Sequence, residues 1–237
     1  MRDENGWTAS ADAWIADMDG DTGDWSRRIV LDEPMTARAL AATPRTMLDV
    51  GCGEGRFCRR LAGHGVATVG LDPMPAMVEA ARARHPGGLY LAGHGERLPF
   101  ADDAFDLVVA YLTLIDIDDH VGAVAEMARV LVPGGRILAA NLSAHFTASD
   151  GGWTVGADGT PVFAIDRYFE ARSAWFSWRG IHVKNWHRPM SATMDAFLGA
   201  GLTLTHFAEP QPRGDDATAT RYRRVPWFVV MEWRKPR

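Results

Sequence analysis

Residues 46–56, TMLDVGCGEGR, constrain the fold of this chain more than any other stretch. Met47, Leu48 and Val50 form a short apolar run without helical spacing, the signature of a strand buried on both faces of a parallel sheet. The run stops at three alternating glycines, Gly51, Gly53 and Gly55, after which Phe57, Leu61 and Ala62 return at helical spacing. Strand, glycine turn and helix follow in that order. With no Cβ in the way, such a turn lets backbone N–H groups come close to a ligand. Asp49, just before it, is placed either to fix the loop or to accept from a cationic ligand. The same turn also arises for conformational reasons alone. A dinucleotide fingerprint needs G-x-G-x-x-G, and Arg56 stands where its last glycine belongs, so a nicotinamide or flavin loop is disfavoured.

The chain has 237 residues, 47% of them hydrophobic, enough for a proper core and most simply one domain, 1–237, with an insertion. A formal net charge of −5, with Lys184 and Lys235 the only lysines, argues against nucleic acid as partner. No apolar run approaches the roughly 20 residues of a membrane span, and MRDENGW is not a basic-then-apolar leader, so no membrane partner and a cytoplasmic location are expected. Cys52 and Cys58 have no His or Cys at metal spacing and read as small buried thiols in a reducing compartment, with no metal site.

Residues 1–45 carry Trp7, Trp14 and Trp25 and a helix over 35–42; they either pack on the outside of the sheet or form a flap across a ligand mouth. From residue 46 onward, short apolar runs alternate with helical stretches, the pattern of a parallel βαβ sheet. A second strand over 67–71 ends on Asp72, 19 residues past Gly53. A carboxylate at that tip reaches the ribose hydroxyls of a nucleoside lying over the first glycine turn. A helix over 75–84 follows, with Pro75 in its first turn and Met77, Val78 and Ala81 facing inward. Further strands are expected over 89–92 and 105–110, the latter ending at Tyr111. Next comes a helix with Val121, Val124, Met127, Val130 and Leu131 as its apolar positions, stopped by Pro133-Gly134-Gly135, and then a fifth strand over 136–141. Beyond the fifth strand, 142–190 is too long for a simple connection and is rich in aromatics, among them Trp153, Phe163, Trp175, Trp178 and Trp186. It reads either as a cap or as a helical insertion packed by its own aromatics. A helix over 191–200 with Ser191 as N-cap, a strand over 202–208, an exposed loop over 211–224 and a last strand over 225–233 complete the chain.

Four segments, LDVGCGEGRF (48–57), VGLDPMPAMVEAAR (69–82), GERLPFADDAFDLVVA (95–110) and EMARVLVPGGRILAAN (126–141), stand in the order and spacing of one family. On them the chain resembles the class I S-adenosylmethionine-dependent methyltransferases of small-molecule type, from about Asp24 to the last residue. The resemblance implies a Rossmann-like α/β fold: a seven-stranded sheet with helices on both faces, the last strand antiparallel between the fifth and sixth, and a cap after the fifth. It implies S-adenosyl-L-methionine as cofactor, with Asp49 and the loop Gly51, Cys52 and Gly53 at its methionine part. Asp72 is implied at the ribose, and Pro73 and Met77 against adenine, with Tyr111 also in the site and Arg28 paired with the cofactor carboxylate. The family usually places an acid where His94 stands, which leaves adenine to the imidazole or to the backbone of His94, Gly95 and Glu96. Many small-molecule members also have histidine where this chain has Ile115-Asp116.

The implied activity is in-line methyl transfer to a small, apolar or aromatic acceptor. For a hydroxyl or a protonated amine a base is needed, and the candidates are Asp116, His145 and His187, with His182 alongside. A lone histidine is more often structural. The alternatives are a cofactor-binding protein of the same fold without transfer activity and, further off, a nicotinamide-dependent oxidoreductase.

Overall fold

The computed structural model describes residues 5–19, 24–41, 43–149 and 152–237. Residues 1–4, 20–23 and 42 of the N-terminal flap and residues 150–151 of the cap lie outside the described residues. The chain begins with α1 (Trp7–Asp19) and a π-helical turn (Arg27–Leu31) that runs into α2 (Asp32–Leu40), so the helix expected over 35–42 starts earlier. The central alternation is β1 (Thr46–Val50), α3 (Arg56–Ala62), β2 (Ala67–Asp72), α4 (Pro75–Arg84), β3 (Leu89–Ala92), β4 (Phe105–Tyr111), α5 (His120–Val130) and β5 (Leu131–Leu142). After it come α6 (Ala144–Thr147), the hairpins β6 (Trp153–Val155) with β7 (Pro161–Phe163) and β8 (Arg172–Trp178) with β9 (Ile181–His187), then α7 (Met190–Gly199), β10 (Thr203–Ala208), α8 (Ala217–Tyr222) and β11 (Phe228–Arg234).

Seven strands form one sheet in the order β10-β11-β5-β4-β1-β2-β3. β1 pairs in parallel with β2 on one edge and β4 on the other. β11 is antiparallel to both β5 and β10. This is the Rossmann-like arrangement expected, with the antiparallel strand in the expected place. Alternation along β1 explains its continuous apolar run: Leu48 and Val50 enter a core with Val124, Met127 and Phe197 from α5 and α7, whereas Met47 enters the opposite core with Met35, Leu61 and Val78 from α2, α3 and α4. Each helix layer seals one face. β1 and β4 are neighbours, yet β1 leads on to β2 and β4 to β5, so their connections diverge and a crevice opens at their carboxyl ends.

Several boundaries depart from expectation for identifiable reasons. β5 begins at Leu131, because α5 passes directly into extended backbone there and Pro133-Gly134-Gly135 is taken up as a register shift in the β4–β5 ladder. Val121 is 54% exposed, and the buried face of α5 is Ala123, Val124, Met127, Ala128 and Val130. Ser191 is not the N-cap of α7; Pro189 holds that position, with no side-chain cap. Residues 211–224 are not all loop: Asp216 accepts from the amides of Thr218 and Ala219 and starts α8, whose Ala219 is buried. The insertion after β5 is neither helical nor plain loop, since β8 and β9 pair over seven residues. β9 alternates buried Ile181, Val183, Asn185 and His187 with less buried positions. No helix among the described residues is long and apolar enough to cross a membrane.

α7 is anchored by Phe197, which stacks on Trp233 of β11 at 4.8 Å and 4°, both rings fully buried. Phe197→Ala is expected to destabilise the fold by about 3–5 kcal/mol, the cost of emptying a packed aromatic site, read as a lower urea midpoint by circular dichroism.

Candidate functional site

The crevice at the ends of β1 and β4 is a cavity of about 860 Å³, toward the upper end of the roughly 300–1,000 Å³ of ligand sites. Gly51 and Gly53 line it from the loop after β1, both in the left-handed region (φ 72° and 54°). A Cβ on Gly51 would stand 2.0 Å from Thr113 Oγ1, so only glycine fits between the ends of β1 and β4. On Gly53 it would point into open space, 3.7 Å from the Trp14 indole nitrogen, and would fill part of the cradle.

The loop amides are committed inside the protein. Gly51 and Cys52 both donate to the Leu71 carbonyl (2.7 and 3.0 Å), Gly53 donates to Asp72 Oδ2 (2.9 Å) and Gly55 to the Cys52 carbonyl (3.0 Å). The expectation that these amides face a ligand is therefore corrected: the glycines provide close approach and not donors. A pyrophosphate needs such amides; a nucleoside bearing a cationic chain does not.

Asp72 ties the site together. Its Oδ2 takes the Gly53 amide and its Oδ1 the Met74 amide (2.9 Å each), and each oxygen keeps a second lone pair. Burial pushes its carboxyl up to about 6, against the pull of the Met74 and Gly53 amides and of His94. Pro73, Met74, Met77, His94, Gly95 and Glu96 line the same end of the cavity. Tyr111 lines it with its ring and donates its hydroxyl to Asp32 Oδ1 (3.0 Å), on a carboxyl that also holds Arg56 and Arg60.

Four of the candidate residues lie elsewhere. Cys52 is buried with its Sγ toward the Gly53 carbonyl (3.5 Å), and Asp49 sits a layer behind the wall, where Cys58 Sγ donates to its Oδ2 (3.7 Å) and Oδ1 has no partner among the described residues. Burial raises the Asp49 carboxyl to about 7, beyond what the Cys58 thiol offsets. Arg28 is exposed and faces away; Arg27 is the guanidinium on the wall, paired with Asp24 and lying over the rings of Trp14 (4.9 Å) and Tyr111 (5.4 Å). Periodicity gave no means of choosing between them, because both fall in the π-helical turn that shifts the facing by one residue. His145 is exposed beside the Tyr168 ring (5.5 Å) and outside the cavity.

The far wall comes from the hairpins and α1: Trp7, Trp14, Phe163, Trp175, Phe176 and Trp178 among others. α1 is clasped to β9 by Ser10, whose Oγ donates to the His182 carbonyl (3.1 Å) and accepts from its amide (2.9 Å), and by the Asp17–Arg179 ion pair (2.9 Å). Trp25 instead stacks on Trp227 (6.0 Å). His187 reaches the cavity, but its Nε2 donates to the Tyr168 carbonyl and its Nδ1 accepts from Thr147 (2.8 Å each). Both ring nitrogens are thus engaged within the protein. His182 bonds Ser177 (2.6 Å) and stacks on Trp175. Asp116 lines the cavity, partly exposed to it, with Oδ1 accepting from Asn185 (2.6 Å) and the Trp7 indole N–H also on the carboxyl. Burial raises it to about 7, more than Trp7, Arg27 and Asn185 lower it.

The three raised carboxyls, Asp49, Asp72 and Asp116, hold more protons in the folded than in the unfolded chain between about pH 4 and pH 7, so their contribution to stability falls as pH rises through that window. Asp49→Asn is expected to flatten this slope, recovering roughly 2–4 kcal/mol at pH 8 relative to pH 4. Urea unfolding at a series of pH values checks it; a variant with the wild-type slope contradicts the assignment.

Residues 48–139 match the methyltransferase domain family. The demethylmenaquinone methyltransferase of Renibacterium salmoninarum is 36% identical over 125 residues, 52% of this chain and 50% of that protein. The chain thus matches about half the length of this curated relative. Among solved structures, an S-adenosylmethionine dependent methyltransferase from Mesorhizobium loti superposes with a TM-score of 0.73 and 27% identity, over 86% of this chain and 99% of that one. The [4+2]-cyclase SpnF shares the fold alone, at a TM-score of 0.63 and 16% identity over 97% of this chain and 94% of that one.

Proposed function

From a chain whose fold and central segment, residues 48–139, are those of the class I S-adenosylmethionine-dependent methyltransferases, we propose that it transfers the methyl group of S-adenosyl-L-methionine to a small, apolar or aromatic acceptor. The observation that carries this reading is one continuous cavity. It runs from the Asp72 carboxyl, anchored by two amides at the tip of β2, to the tryptophans of α1 and the β8–β9 hairpin. Asp72 holds the ribose hydroxyls with its remaining lone pairs, and Pro73, Met77 and the stretch His94, Gly95 and Glu96 surround adenine. Gly51 and Gly53 let the methionine chain approach, Asp49 acts on that loop from behind, and Arg27 takes the carboxylate in place of Arg28.

When bound, the cofactor supplies an electrophilic methyl on a sulfonium whose leaving group is neutral. The protein therefore has mainly to align the acceptor and exclude water. Alignment alone is worth effective molarities of about 10⁵ M or more, on the order of 7 kcal/mol. α1 and the two hairpins act as flap and cap for this purpose, and their aromatic walls suit an apolar acceptor in a dry pocket. The setting is cytoplasmic, in keeping with two buried, unlinked cysteines. The curated relative shares only half its length with this chain, so its acceptor is not carried over.

Isothermal titration should show S-adenosylhomocysteine binding that Asp72→Ala weakens about 10- to 150-fold, the roughly 1.5–3 kcal/mol of hydrogen bonds to a charged group. Absence of binding by the wild-type chain overturns the reading. Because a fold does not by itself decide its chemistry, release of labelled methyl to an acceptor distinguishes a transferase from a cofactor-binding protein.

A further inference from the structure

We propose that the acceptor is a primary or secondary amine on an aromatic or apolar frame, held as its ammonium ion by Asp116 in the tryptophan-lined part of the cavity. This rests on the methyl-transfer reading and names its substrate class.

Most of the charged groups on the cavity wall are already engaged within the protein. Asp17 is paired with Arg179 and Asp24 with Arg27. Arg172 donates to the carbonyls of Ala148, Asp166 and Arg167. Asp72 takes two backbone amides, and Glu96 lies in the same stretch as His94, at the end assigned to adenine. Asp116 differs from the two paired carboxylates in its donors, and from Asp72 and Glu96 in standing where α1 and β9 meet. Its hydrogen-bond donors are neutral, the Asn185 amide and the Trp7 indole, and it is partly exposed to the cavity. Asn185 comes from β9 and Trp7 from α1, so the carboxyl is held where flap, cap and the end of β4 meet.

An acceptor carrying a carboxylate or phosphate would find Arg172 and Arg179 engaged by the protein and Arg27 taken up at the cofactor end, and would be repelled by Asp116. A neutral alcohol would gain one ordinary hydrogen bond. An ammonium ion gains a charge-assisted bond to a carboxylate shielded from water, and the ring of Trp7 beside that carboxylate adds a cation–π surface. The same group handles the proton that must leave before nitrogen can attack. The N–H bond breaks, the proton passes to a carboxylate oxygen of Asp116, and the electron pair stays on nitrogen. A carboxyl raised by burial to about 7 is suited to holding it.

The test is titration calorimetry on the chain saturated with S-adenosylhomocysteine, using probes that share one frame and differ in the end group: tryptamine, indole-3-ethanol and indole-3-acetate. The phenethylamine, phenylethanol and phenylacetate series serves as a second frame. The amine is expected to bind at least tenfold more tightly than the alcohol, and the acid not measurably. Asp116→Asn should remove the tenfold preference while leaving alcohol affinity within about twofold, with S-adenosylhomocysteine binding unchanged and a native circular-dichroism spectrum showing that the variant folds. The proposal is overturned by equal or tighter binding of alcohol or acid, by an amine preference that survives in the variant, or by no amine binding on either frame. Those failures are distinct from failure of the methyl-transfer reading, which shows as loss of S-adenosylhomocysteine binding by the wild-type chain.

Discussion

The parallel pairing of β1 with β2 on one side and β4 on the other is the constraint on which the rest depends. A strand in that position has both faces covered by helices and both edges hydrogen-bonded, so only its carboxyl end is open to a ligand. The closeness of Gly51 to Thr113 is a direct result: the loops leaving β1 and β4 must pass each other at a distance that a Cβ would not allow. The cavity is where the chain's two halves turn away from each other.

Electrostatics then divides the cavity. At the β2 end, Asp72 spends one lone pair of each oxygen on the loop amides, which orients the carboxyl before any ligand arrives. Nearby, Asp32 gathers Arg56, Arg60 and Tyr111, stiffening the wall behind the cofactor end. At the other end, Asp116 accepts hydrogen bonds from the neutral Asn185 amide and Trp7 indole, and burial raises its carboxyl to about 7. Burial outweighs the neighbouring donors and positive charges at Asp49, Asp72 and Asp116 and raises their carboxyls, whereas the directly paired Arg27 guanidinium outweighs burial at Asp24 and holds it below the usual range.

Much of this was legible in the residues. The βαβ alternation, the glycine turn and the acidic tip at Asp72 are local signals, and Gly51, Gly53, Asp72, Pro73, Met77, His94, Gly95, Glu96, Tyr111, Asp116 and His187 all line the cavity. What escaped was whatever depended on facing or on partners. Arg27 replaces Arg28 because a π-helical turn rotates the side chains. The loop amides turn inward because Leu71 and Asp72 on the neighbouring strand accept them. His187 is engaged by Thr147 and Tyr168, some 40 and 19 residues away in the chain.

By itself the sequence determined the class of fold and which residues gather at the Asp72 end of the cavity, because strand burial, turn chemistry and the spacing from glycine to acid are properties of contiguous residues. Tertiary structure alone decided the acceptor end. The two hairpins and α1 come from stretches more than 130 residues apart, and nothing in either stretch shows that Trp7 and Asn185 will meet on the carboxyl of Asp116. That meeting is set by long-range packing, which no local pattern encodes.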